Sequence, residues 1–204
     1  MLLLHFAGKL SQMLSKTKCK VLPFFYVSLA VSLLVLPVKW VIAWFTAIGF
    51  HEFFHYIALR ACGLKALQVE LSCTGVRIET HSCSALQEAF CAAAGPLGSF
   101  LLVLLSPVLP RVALCGAFHG IYNLIPIYPL DGGRVLKAVL GGLRASDAIC
   151  IIIEAAVIFF LIVVSLWSWI RLSFGPLPLI ICTIQLVKWV RIKIPCKAGE
   201  QAVQ

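Results

Sequence analysis

The sequence predicts an all-α polytopic membrane protein, with six transmembrane helices and a short cytoplasmic-side β-hairpin after the second. Three observations predict it. Of 204 residues, 61% are hydrophobic and the mean hydropathy is +1.01, whereas soluble domains are about 45–50% apolar. Several stretches approach the roughly 20 apolar residues that cross a bilayer. One segment, 64–80, departs from helical patterning and alternates with a period of two. The length suits a single membrane-embedded domain over 1–204.

Residues 2–14 read as a short interfacial helix. Met1–Leu4 is too short for the apolar core of a cleavable signal, and Lys16, Lys18 and Lys20 precede a full-length apolar run. Residues 21–38 are therefore expected to be a first transmembrane helix, followed by a second at 40–61. In 64–80, Val69, Leu71, Val76 and Ile78 alternate around Ser72-Cys73-Thr74-Gly75, which predicts a hairpin with its turn near Gly75. A strand edge there could pair with an extended peptide; a plain structured loop is the alternative. The remaining spans are expected at 89–109, 112–130, 148–170 and 174–192. Fourteen of the 17 Lys and Arg residues then fall on one side, which the positive-inside rule makes cytoplasmic, and both termini with it.

The net charge of +9 is explained by these basic flanks. No aromatic–basic interleaving or nucleic-acid motif accompanies it, so a nucleic-acid partner is not expected. Nine cysteines, an odd number without a CxxC pair, argue against a disulfide framework. No internal repeat or low-complexity run appears.

His51-Glu52-Phe53-Phe54-His55 lies inside the second apolar stretch. Four residues apart on a helix, the two imidazoles share one face. They can hold Zn²⁺, and Glu52 can serve as general base toward a water at the metal. Ionisable groups are costly in a bilayer and mark function there. A catalytic zinc takes three protein ligands, and the best third candidate is Asp131. It follows Pro126 and Pro129, which interrupt a helix, and precedes Gly132-Gly133, which frees the backbone. A broken helix end can aim a carboxylate into a cavity.

These motifs resemble the site-2 protease family, M50, of intramembrane zinc metalloproteases. The match is carried by HExxH at His51–His55, by Asn123…Pro126…Asp131-Gly132, and by Ala94-Gly95-Pro96-Leu97-Gly98-Ser99. Within that family, Asn123-Leu124-Ile125-Pro126 with Pro129-Leu130-Asp131-Gly132-Gly133-Arg134 is most similar to the sporulation branch, which processes a membrane-associated sigma-K precursor. The resemblance implies one Zn²⁺ per chain held by His51, His55 and Asp131, with Glu52 as base and then acid. It implies Asn123 as a hydrogen-bond donor to substrate backbone or oxyanion, and Gly95 and Pro96 as shapers of close helix packing. It further implies a bacterial cell-membrane location, a membrane-associated protein substrate, inhibitory membrane partners and a part in regulated intramembrane proteolysis. Relatives of that branch carry a CBS domain, and envelope-stress relatives a PDZ domain; neither is expected in this sequence.

Among the other titratable residues, His119 lies one turn before Asn123 and reads as a buried structural histidine. His5 and His81 read as solvated or interfacial. Glu154, six residues into the fifth expected span, reads either as a buried functional acid or as an interfacial one. Glu88 suits a helix first turn, and Trp167 and Trp169 suit an interfacial belt. Alternative functions are an ion transporter using the His/Glu/Asp cluster, a site-2 protease acting on an anti-sigma factor or other single-span protein, and a silent scaffold.

Overall fold

The computed structural model describes residues 18–21, 23–64, 66–72, 75–80, 83–172 and 175–193. The expected interfacial helix at 2–14, together with His5 and His81, lies outside them. In chain order the elements are β1 (Lys18–Val21), α1 (Pro23–Val35), α2 (Val38–Ala61), β2 (Ala66–Ser72), β3 (Gly75–Thr80), α3 (Ala85–Leu101), α4 (Pro110–Leu124), α5 (Asp131–Leu140), α6 (Ser146–Leu172) and α7 (Leu177–Lys193), with a 3₁₀ turn at Leu102–Leu105 prolonging α3. The chain divides into two compact units, Met1–Asn123 and Leu124–Gln204.

The boundaries follow local chemistry. Pro23 opens α1 at a position where a missing N–H costs nothing, and Pro37 separates α1 from α2. α2 ends where Gly63 takes φ +73°, and the N–H of Leu64 donates to the carbonyl of Leu59 at 3.0 Å, a glycine-terminated helix end that turns the chain toward β2. α3 starts with a capping box: the Ser84 Oγ accepts from Gln87 N–H at 3.3 Å, and Gln87 Oε1 accepts from Ser84 N–H at 3.0 Å. Glu88 falls in that first turn, where the helix dipole favours an acid.

The expectation of an all-α chain with six transmembrane helices and a short β-hairpin after the second is corrected. β2 and β3 pair antiparallel, Val69 opposite Ile78 and Leu71 opposite Val76, but they are part of a three-stranded mixed sheet in which β1 lies parallel to β2. The described residues hold seven α-helices, and two helical stretches, Ala85–Leu105 and Ser146–Arg171, are long and apolar enough to cross a membrane. α1, α4 and α7 have 13, 15 and 17 residues. α2 has 24, but His51, Glu52 and His55 interrupt its apolar run. The first expected span merged the end of a strand with a short helix. The fourth ran through a segment that leaves helix at Leu124, where the prolines stop it.

In the first unit the core is made of small residues. Ala43 and Ala47 of α2 pack with Leu102 and Cys115, and Ala58 and Leu59 pack with Cys91 and Ala94 of α3. In the second unit, α6 and α7 bury Glu154, Ser165 and Gln185 while Phe159, Phe160 and Ile170 are exposed. Polar groups inside and large apolar groups outside is the arrangement that lipid favours.

Candidate metal centre

α2 carries His51, Glu52 and His55 through its middle, and α3 packs against it. His51 is buried, and Glu52 and His55 are half-buried. The His55 Nδ1 lies 2.7 Å from the carbonyl of Cys91. A carbonyl only accepts, so Nδ1 carries the proton and Nε2 keeps its lone pair. The His51 Nδ1 lies 2.8 Å from the Oγ of fully buried Ser99. With the outer nitrogens engaged by α3, the two Nε2 atoms face each other at 3.0 Å. Two nitrogens bound to one tetrahedral zinc stand roughly 3.3 Å apart, so the pair already has nearly the span a zinc ion requires.

Gly95 makes this approach possible. A Cβ there would overlap the His55 ring and lie 2.7 Å from His51 Nε2. Gly98 plays the same part against Phe54, whose ring a Cβ would meet. The Gly95-Pro96 element therefore does shape close packing beside the two histidines, and Pro96 is itself fully buried.

His119 of α4 is placed more intimately than its sequence position suggested. Its ring stands edge-on to His51 with centroids 4.5 Å apart, and edge-on to Trp44 at 5.7 Å. Asn123, half-buried, donates its Nδ2 to the His119 carbonyl at 3.0 Å. A side chain that donates one turn back along its own helix is held in one rotamer.

In the second unit, Asp131 is the first residue of α5 and is buried, where the helix N-terminus favours a negative charge. Arg134 Nη1 lies 3.5 Å from its Oδ1. The chain between Leu124 and Asp131 is not helical and is tightly wound. Ile127 donates to the Ile125 carbonyl and Leu130 to that of Ile127, both at 2.8 Å. Ile127 is fully buried, and the Tyr128–Pro129 bond is cis. Gly132 and Gly133 let α5 begin against this segment: a Cβ on Gly132 would overlap the Leu124 carbonyl, and one on Gly133 the Tyr128 nitrogen.

Glu154, which the sequence left undecided, is buried and bonded. Its Oε1 accepts from the Tyr128 N–H at 3.2 Å, and its Oε2 from Trp189 Nε1 at 2.7 Å and Lys193 Nζ at 3.0 Å. Trp167 and Trp169 are exposed. The sulfurs of Cys62 and Cys91 are 4.0 Å apart and are not joined in a disulfide.

His51 and His55 in the first unit, and Asp131 in the second, each offer one ligand atom of a kind that binds metal. Two imidazoles and a carboxylate are a donor set suited to zinc. The sequence model of peptidase family M50 matches residues 103–164. The chain is 28% identical over 134 residues to a zinc metalloprotease of Methanocaldococcus jannaschii. Its fold is that of a solved site-2 protease from the same organism, with a TM-score of 0.62, 83% of this chain and 87% of that one covered, and 23% identity. The matches are thus to peptidase family M50 in sequence and to a site-2 protease in fold. The curated metalloprotease is matched over 57% of this chain and 40% of its own length.

Proposed function

We propose that the chain is an intramembrane zinc endopeptidase that cleaves a membrane-associated protein near the cytoplasmic face. The observation that carries this reading is the histidine pair of α2, with outer nitrogens engaged by α3 and Nε2 atoms 3.0 Å apart, beside Glu52. His51, His55 and Asp131 would hold the ion. Zinc, when bound, supplies a Lewis acid for the scissile carbonyl and acidifies the attacking water. Glu52 takes the proton of that water and returns it to the leaving amine. Asn123 acts as the second catalytic residue, an amide donor to the substrate backbone or oxyanion.

A helical substrate hides its carbonyls in its own hydrogen bonds and must be extended to be cut. Among the described residues β3 is an edge strand of the sheet, which suits pairing with such a segment. The chain is read as one membrane-embedded peptidase domain with both termini cytoplasmic. Within the family it is read as similar to stage IV sporulation protein FB, with a sigma-K-type precursor as substrate, in a bacterial cell membrane. The support for these last points is the run Asn123-Leu124-Ile125-Pro126…Asp131-Gly132-Gly133-Arg134 and the basic flanks.

Co-expression with a tagged sigma-K-type precursor tests the reading. Wild type is expected to yield a shortened product on a gel, and Glu52→Gln to reduce its formation about 10²- to 10⁴-fold. Equal activity of the two would overturn the general-base role. Absence of product in both would count against that substrate and turn the search to other single-span proteins.

A further inference from the structure

We propose that Glu154 is a positioning residue for the metal centre: it clamps the segment that presents Asp131, by joining that segment to α6 and α7. The inference rests on the reading of Asp131 as a zinc ligand. All the groups involved lie in the second unit.

Three segments meet at this one carboxylate. Oε1 takes the Tyr128 N–H at 3.2 Å, and Oε2 takes Trp189 Nε1 at 2.7 Å and Lys193 Nζ at 3.0 Å. Trp189 and Lys193 are four residues apart and so share a face of α7. Glu154 is 1% exposed, and its side chain 2%, against 24% for that of Lys193. A charge this deep persists only when paired and hydrogen-bonded. The three donors supply that compensation, and one of them is a backbone N–H of the ligand segment itself.

The link from Tyr128 to Asp131 is short and stiff. The Tyr128 nitrogen lies where a Cβ of Gly133 would fall, so the ligand segment and the first turn of α5 are in direct backbone contact. Leu130 is tied back to Ile127, and Arg134 N–H to the Leu130 carbonyl at 3.0 Å. Fixing the Tyr128 amide therefore fixes where the first residue of α5 stands. Groups that orient ligands without touching the metal change metal affinity about 10- to 100-fold when removed.

Glu154→Gln separates this role from simple packing. The glutamine keeps the shape but has one acceptor atom, and its amide hydrogens oppose the Trp189 and Lys193 donors. It cannot satisfy both ends. Zinc affinity by competition with a chromophoric chelator, and the visible bands of the Co²⁺-loaded protein, are measured on the full-length protein in detergent. Ser165→Ala is the control: Ser165 Oγ and Cys182 Sγ are 3.3 Å apart, so this variant perturbs contact between the same two helices away from the clamp.

Glu154→Gln is expected to bind zinc about tenfold more weakly and to shift the Co²⁺ bands, with Ser165→Ala like wild type. Should Glu154→Gln not fold, Trp189→Phe removes one donor to the carboxylate, and the same loss in smaller degree is expected. Wild-type affinity and bands in a folded Glu154→Gln, or in Trp189→Phe where Glu154→Gln fails, would overturn the proposal. So would an equal loss in Ser165→Ala. Asp131→Asn distinguishes the underlying reading: if it binds zinc as wild type does, Asp131 is not a ligand, and it is that assignment which fails.

Discussion

His51 and His55 ride on an uninterrupted 24-residue helix, whereas Asp131 follows a stretch of chain that forms no helix at all. The histidines need little beyond helical periodicity to share a face, and one neighbour each, Ser99 and Cys91, to turn their rings. The aspartate depends on two backbone turns, on two glycines without room for a Cβ, and on the Glu154 carboxylate. A regular element delivers two of the proposed ligands through local geometry. An irregular segment delivers one only when contacts distant in sequence hold it. The first half should thus fail through its immediate neighbours, and the second through groups that never approach the metal.

The largest effect expected on the first half is that of His55→Ala. It leaves two of the three proposed ligands and should abolish zinc retention, read by elemental analysis of the purified protein, with helical content by circular dichroism unchanged. A variant that retained stoichiometric zinc would break the assignment of His55.

Two glycine variants sharpen the comparison. Gly132→Ala drives a Cβ into the Leu124 carbonyl, a backbone atom that cannot swing aside, and should cost about 1–3 kcal/mol of stability. Gly95→Ala drives one into the His55 ring, which can rotate away. It should weaken zinc binding while lowering the thermal midpoint less than Gly132→Ala. A reversed order of midpoints would show that the histidine half is the more rigid.

Ser99→Ala is expected to have the smallest effect. It removes the partner of His51 Nδ1 but leaves the ring packed, and should weaken zinc about tenfold without altering the fold. An unchanged affinity in a zinc titration would mean that helix packing alone orients His51.

The difference between the halves also explains what could be read from the residues. HExxH is legible because the spacing of a helix is fixed by its hydrogen bonds. Asp131 is legible as a candidate because prolines before it and glycines after it announce a helix break. β1 is not legible: four residues, two of them lysine, form a strand only because β2, distant in sequence, lies alongside. Six long spans were expected because apolar runs merge across short breaks. The prolines and the polar residues of α2 shorten or dilute them. Glu154 was visible as an acid in an apolar run, but its three partners all lie at least 26 residues away and give no local pattern.

The sequence by itself determined the donor chemistry, the face shared by His51 and His55, and the presence of a helix break before Asp131. These depend on residue type and on short-range backbone geometry. Tertiary structure alone decided that Cys91 and Ser99 orient the imidazoles, that Gly95 gives them room, and that Glu154 holds the segment before Asp131. Those contacts join residues far apart in the chain, and only close packing of the helices brings them within hydrogen-bond reach.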